Sequence, residues 1–196
     1  MAPLGICVLS AVCRKHGHQV YLSQMNYEDS LRRIESVRPD VVAYSSATGE
    51  AKHYLSLNDR IKERYPEMFT IMGGPHPTFY PEMLKETTLD AICIGEGEEA
   101  FLEVLQALSE KKSVSNIDNI LTKDNPVIRV RRLIDDIDSL PHPDYDLFFD
   151  SYSFGRYPLK SFMASRGCPY QCTYCFNHAW NKLYNGKGRI VRRHSV

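Results

Sequence analysis

Hydrophobic and polar positions alternate along the chain in two periods, one helical and one extended. Leu4, Cys7, Val8, Ala11 and Val12 share one helical face, and Gly17 stands where such a helix stops. Residues 19–22 (QVYL) read as a short strand. Tyr27, Leu31 and Ile34 form a second helical stripe, with Asn26 placed as its N-cap and Pro39 beyond its end. Residues 40–45 (DVVAYS) are a compact β-branched run of the kind found in buried strands. Ala51, Tyr54, Leu55 and Ile61 mark a third helix, closed before Pro66. Residues 69–72 form a strand running into Gly73-Gly74, after which Pro75, His76 and Pro77 predict irregular chain and then a helical turn near 80–85. A strand over 90–94 leads through Gly95 to a helix carrying Phe101, Leu105 and Leu108.

This alternation predicts an α/β fold with a Rossmann or flavodoxin-like, doubly wound parallel sheet. Residues 120–122 and 127–130, separated by Asp124-Asn125, predict a small hairpin. The acidic, proline-bearing stretch 135–150 (DDIDSLPHPDYDLFFD) suits a connector between domains. The expected organisation is a ligand-binding domain over 1–125, a hairpin and connector over 126–158, and the beginning of a second domain over 159–196. The pattern opens on a helix, although the first strand of a flavodoxin-like sheet lies inside the sheet. The expectation is that this strand is missing and the chain truncated.

Composition narrows the function classes. The 196 residues carry 24 basic and 24 acidic side chains, which removes the basic footprint of a dedicated nucleic-acid binder. No apolar run approaches the ~20 residues that span a bilayer, and no secretory signal opens the chain, so a cytoplasmic location is expected. Of the six cysteines, Cys7, Cys13 and Cys93 lie scattered among apolar neighbours and read as small core residues.

Cys168, Cys172 and Cys175 are different. Their C-x3-C-x2-C spacing supplies three thiolates from one tight loop, enough to ligate three irons of a [4Fe–4S] cube and leave the fourth open. Residues 161–165 (SFMAS) predict a strand delivering the loop, with Gly167 giving the backbone room to turn. A second reading uses His178, three residues after Cys175, to complete a structural Cys3His zinc site. That alternative makes the chain a ligand-binding Rossmann-like module without redox chemistry. Lys187, Arg189, Arg192 and Arg193 in the tail read as a solvated charged loop.

The cysteine loop, with Tyr174 directly before its last cysteine, resembles the signature of radical S-adenosylmethionine (SAM) enzymes. The resemblance implies Cys168, Cys172 and Cys175 as cluster ligands and Tyr174 packed near the adenine of SAM. It also implies that the reduced cluster cleaves SAM to a 5′-deoxyadenosyl radical, with no catalytic residues assigned beyond the ligands. The opening Pro3-Leu4-Gly5, Lys15-His16-Gly17-His18, the GGPHPT loop over 73–78, the GEGEE loop over 95–99 and LPHPDYDLF over 140–148 extend the likeness over nearly the whole chain. Together they resemble the cobalamin-binding domain at the N-terminus of a large radical SAM subclass. The second domain is then the start of a radical SAM (β/α) barrel.

By that resemblance Ser45, Thr48, Gly73, Gly74 and His76, then Gly95 and Glu96, are expected to contact the corrinoid. The D-x-H-x-x-G loop of cobalamin domains that bind cobalt through histidine does not occur, so a histidine-coordinated cobalt is not expected. The implied partners are SAM, cobalamin, a [4Fe–4S] cluster, an electron donor and a small-molecule substrate. The implied reaction is methyl transfer or another radical transformation. A radical SAM enzyme whose N-terminal domain is only a scaffold remains open.

Overall fold

The computed structural model describes residues 3–24, 26–149 and 162–195. They divide into two compact units, residues 19–129 and the described parts of 1–18 with 130–196. Residues 150–158 of the expected connector, and residue 161 of the expected strand, lie outside the described residues.

The continuous unit is built on a four-stranded sheet of order β1-β2-β3-β4, namely Val41–Ser45 (β1), Phe69–Gly73 (β2), Ala91–Cys93 (β3) and Ile120–Thr122 (β4). The first three strands run parallel and β4 pairs antiparallel with β3. Helix Tyr27–Val37 (α2) precedes β1, and helices Thr48–Arg64 (α3), Pro75–Phe79 (α4) and Glu98–Ser109 (α5) lie between the strands. Strand parity sorts the sheet into two faces. Ile71, Ala91, Cys93 and Ile120 form a core with Ala100 and Val104 of α5. On the opposite face the Tyr44 ring meets Tyr54 of α3 at 5.7 Å. A sheet covered by helices on both faces is the doubly wound arrangement the alternation predicts.

Local chemistry sets the helix limits. The Asn26 side chain accepts the Asp29 N–H at 2.8 Å and caps α2, and Arg38 ends it in the left-handed region at φ 48°. Arg60 of α3 lies 3.5 Å over the Tyr27 ring, joining α2 to α3. At the amino edge of the sheet Lys62 Nζ donates to the carbonyls of Pro66 and Met68, both at 2.9 Å. It also donates to both oxygens of Asp90, at 3.1 and 2.9 Å, while Asp90 accepts the Thr70 N–H at 2.7 Å. One lysine thereby ties the end of α3 to the starts of β2 and β3.

Three expectations need correction. Residues 19–22 form no strand and lie outside the order of the four-stranded sheet. Residues 127–130 form no hairpin strand either. The 120–122 run pairs with β3 instead, and the returning chain is held at Arg129, whose carbonyl accepts the Asn119 N–H at 2.7 Å and whose side chain donates to Asp118 at 3.1 Å. Residues 75–79 are helical, since proline is favoured at the first helical position and Gly74, at φ 96°, makes the turn into it.

In the second unit, helix Leu4–Lys15 (α1) buries Cys7, Val8, Ser10, Val12 and Cys13. It ends as expected at Gly17, where the Gly17 and His18 N–H groups bond to the carbonyls of Arg14 and Cys13 in a Schellman pattern. Burial pushes the Cys7 and Cys13 thiols up to about 11, with the Asp144 charge adding to the effect at Cys7, so both stay protonated and inert. Asp144 joins the connector to α1. It accepts from Ser10 Oγ at 2.5 Å and Arg14 Nε at 3.2 Å, while its own N–H donates to the Cys7 carbonyl at 2.9 Å. Short helices Asp146–Phe149 (α6) and Asn177–Leu183 (α7) and the antiparallel pair Ser165–Arg166 (β5) with Arg192–Arg193 (β6) complete the unit. The strand expected over 161–165 is thus two residues long and begins at Ser165.

Candidate functional site: the carboxyl edge of the sheet and the cysteine loop

The seven residues expected to meet a corrinoid converge on the carboxyl edge of the parallel strands. Ser45 ends β1, Thr48 opens α3, Gly73 ends β2, Gly74 and His76 enter α4, and Gly95 and Glu96 follow β3. Open α/β sheets bind ligands at this edge, where the loops present free backbone groups.

The loops are fastened to one another by backbone bonds. Ser46 donates its N–H to the Gly73 carbonyl at 3.0 Å and accepts the His76 N–H at 2.9 Å. Gly74 packs so closely against this loop that a Cβ on it would lie 2.8 Å from both Ser46 N and Ser46 O. Its glycine therefore serves loop-to-loop packing. At Gly73 an added Cβ would make only an ordinary contact with Cys93, at 3.7 Å.

His76 Nδ1 lies 3.4 Å from Thr48 Oγ1, and its ring is 5.8 Å from that of Tyr80. Partial burial pushes the imidazole pKa down, which keeps the ring neutral at pH 7. Phe79 and Tyr80 beside it are 37% and 48% exposed, offering aromatic surface along the same loop. Small residues, a neutral imidazole and exposed aromatic rings fit a large flat ligand with amide side chains.

Pattern reasoning overlooked Ser46, Thr78 and Asn119, all buried at this edge. Thr78 Oγ1 donates to the Gly74 carbonyl at 2.8 Å and accepts the Gly95 N–H at 3.0 Å. Asn119, at φ 71°, donates its side-chain amide to the Glu96 carbonyl at 2.8 Å and accepts the Ile94 N–H at 2.7 Å. Only the small polar residue within a glycine-rich loop hinted at the first, and only an asparagine just before a strand at the second. Their partners are backbone groups distant in sequence, which no periodicity reports.

In the other unit, β5 delivers the cysteine loop. Gly167, at φ 83°, passes so near the tail that a Cβ there would lie 1.9 Å from the Ile190 carbonyl oxygen. Cys168 and Cys175 are half-buried and Cys172 is exposed, and all three are free thiols. The Cys175 N–H donates to the Cys172 carbonyl at 3.0 Å, and Asn181 of α7 donates to the Cys168 carbonyl at 2.9 Å. Among the described residues no three His, Cys, Asp or Glu side chains converge into a metal site, so neither the three thiols alone nor a set with His178 is gathered in advance. The donor chemistry nonetheless fits a cluster, because three accessible thiols share one turn and metal binding itself draws ligands together. Tyr174 is 92% exposed, and Phe162, Tyr170 and Phe176 are also open.

The tail is more structured than a solvated loop. Arg192 is 3% exposed and donates to the Ile134 carbonyl at 2.9 Å. Leu133 N–H meets the Lys187 carbonyl at 2.7 Å, and the Asp135 side chain accepts the Arg189 N–H at 3.0 Å. Asp138 accepts the Ser195 N–H at 2.8 Å and pairs with His194 at 2.6 Å. These bonds, the Ser195 amide first, hold its carboxyl down at about 2. Among the described residues no helix is long and apolar enough to cross a membrane.

Comparison with known proteins agrees with this geometry. An uncharacterized methyltransferase of Pyrococcus horikoshii is 33% identical over 99% of this chain and 45% of its own length. The hopanoid C-3 methylase of Methylococcus capsulatus is 30% identical over 97% of this chain and 38% of its own. The chain thus spans less than half the length of these relatives. Among solved structures, the cobalamin-dependent S-adenosylmethionine radical enzyme OxsB, with aqua-cobalamin and S-adenosylmethionine bound, shares the fold. Its TM-score is 0.76 at 22% identity, over 98% of this chain and 27% of that one. The B12 binding domain family model matches residues 1–105, more than half of the sequence, and the chain belongs to that family.

Proposed function

We propose that this chain is the corrinoid-binding and cluster-binding part of a cobalamin-dependent radical SAM methyltransferase. One observation carries the reading: a single chain joins a B12-family loop edge to a C-x3-C-x2-C loop of free, accessible thiols. The names of two relatives, one a methyltransferase and one a methylase, support methyl transfer, with another radical transformation as the second reading.

When bound, the corrinoid would supply a methyl carrier, and the cluster with SAM would supply one-electron chemistry. The chain's own residues would do three things. Ser45, Thr48, Gly73, Gly74, His76, Gly95 and Glu96 would hold and orient the corrinoid, with Phe79 and Tyr80 shielding it from water. Cys168, Cys172 and Cys175 would ligate the cluster and leave one iron for SAM. Tyr174 would lie against the adenine. An electron donor would reduce the cluster, and the substrate would be a small molecule.

The test is anaerobic reconstitution with iron and sulfide, followed by titration with aquacobalamin. A brown protein with about four irons per chain, lost in Cys172→Ala, supports the cluster. A colourless protein with one tightly held zinc would replace it by the Cys3His reading, and iron retained in Cys172→Ala would sink the ligand assignment. Stoichiometric corrinoid binding supports the edge assignment. Its absence beside a normal cluster would leave a radical SAM chain with a scaffold domain.

A further inference from the structure

We infer that Thr78 is a positioning residue of the ligand edge: its buried hydroxyl locks the loop after β2 to the loop after β3. The inference rests on the reading of that edge as a corrinoid site, and it assigns to Thr78 no contact with the ligand.

The hydrogen-bond geometry fixes the direction of each bond. The Gly95 N–H can only donate, so Thr78 Oγ1 must accept it, at 3.0 Å. The hydroxyl proton is then directed to the Gly74 carbonyl, at 2.8 Å. Both bonds use backbone groups of residues expected to meet the ligand, and Thr78 itself is only 6% exposed. A threonine in the first turn of a helix commonly returns its hydroxyl to the carbonyl four residues back. The second bond, made 17 positions away, turns that local habit into a cross-loop tie.

The loop so held needs the tie. Gly95 sits at φ 75°, in a conformation with little intrinsic preference to hold it there. Asn119 holds the same segment from its other side, through the Ile94 N–H and the Glu96 carbonyl. Gly95 is therefore bracketed, with Thr78 toward the β2 loop and Asn119 toward β4. On the far side Gly74 abuts Ser46, which continues the series to the loop after β1. Thr78 is the link in this series that depends on one side-chain oxygen.

That dependence separates a hydroxyl role from a packing role. Thr78→Val keeps the shape and removes the oxygen, leaving the Gly95 N–H without its partner. Thr78→Ser keeps the oxygen and gives up a methyl group. The experiment is titration of the full chain and both variants with aquacobalamin, followed by absorbance, together with amide hydrogen exchange at Gly95. Thr78→Val is expected to bind about tenfold more weakly, the effect of one buried unsatisfied donor. Thr78→Ser is expected to bind within about twofold of the parent chain, because it keeps both bonds. The Gly95 amide is expected to be protected in the parent and in Thr78→Ser, and exposed to exchange in Thr78→Val.

Equal affinities for Thr78→Val and the parent would overturn the inference, as would a serine variant as weak as the valine one. Should Thr78→Val not fold, the parent chain still decides: a Gly95 amide exchanging at the rate of a free peptide would overturn the proposed tie. If the parent binds no aquacobalamin, the corrinoid reading falls, and the exchange pattern alone settles what Thr78 does.

Discussion

At the carboxyl edge of the sheet, the groups that set the loops are buried and satisfied by the protein itself. Thr78, Asn119 and Ser46 each bridge backbone atoms of a neighbouring loop, and all three are nearly inaccessible to solvent. Around residues 168–175 the chain is braced at its two flanks. Gly167 presses on Ile190 and Asn181 holds the Cys168 carbonyl, while Cys172 and Tyr174 are exposed and the three thiols do not converge. The first region is organised by the protein itself, and the second carries three thiols that its own fold does not gather. An edge of the first kind loses little freedom on binding, whereas a loop of the second kind couples its order to occupancy.

Two glycines test that contrast most severely. Gly167→Ala forces a methyl group to within 1.9 Å of a backbone oxygen at positive φ, so β5 and β6 must separate. The local cost is about 3 kcal/mol or more, seen as rapid proteolysis and exchange within residues 162–195. Gly74→Ala meets two backbone atoms at 2.8 Å and a φ of 96°. It should lower the urea stability of residues 19–129 by about 2 kcal/mol while leaving iron incorporation intact. If Gly74→Ala also abolished iron uptake, the separation of the two regions would fail.

A smaller effect is expected at the opposite edge of the sheet. Lys62→Met leaves Asp90 with its Thr70 bonds but without its cation, and the lysine side chain is 15% exposed. A loss of about 1–2 kcal/mol in urea unfolding is expected, with aquacobalamin affinity unchanged. An affinity loss equal to that of Thr78→Val would show that the carboxyl edge answers to global stability. Asn26→Ala should cost about 1 kcal/mol, read as earlier exchange in α2 alone.

The mildest test is pH. The Asp138 carboxyl is held near 2 against an ordinary 3.8, so its folded pKa is depressed. The stability it contributes is present above the ordinary value and is lost as pH falls from about 4 through 2. Because the group is exposed, the effect should stay local: Ser195 and His194 come free, and Asp138→Asn removes the pH dependence. An unchanged pH profile in that variant would mean that the clamp on the tail is not electrostatic.

Much of this arrangement can be read from the sequence. The period of Tyr27, Leu31 and Ile34, the cap at Asn26 and the stop at Gly17 all mark elements that form, because they act within one turn of chain. The β-branched run at 41–45 and the glycines after β2 and β3 likewise place the ligand edge. What escapes is set by partners far along the chain. Residues 19–22 have strand composition but join no sheet, and residues 120–122 choose β3 over the segment beside them. Thr78 and Arg192 look like ordinary loop residues until the folded chain brings Gly95 and the Ile134 carbonyl to them. The cysteine spacing is plain in the sequence, but the unequal exposure of the three thiols is not.

The bond between Ser10 and Asp144 has a consequence for synthesis on the ribosome. The two residues are 134 positions apart, and at about 5–20 residues per second translation needs roughly 7–27 s to make the second after the first. Throughout that interval residues 19–129 can complete their own sheet, while Ser10 and Arg14 of α1 wait for their carboxylate partner. Asp144 can close on α1 only after all of that sheet has been made.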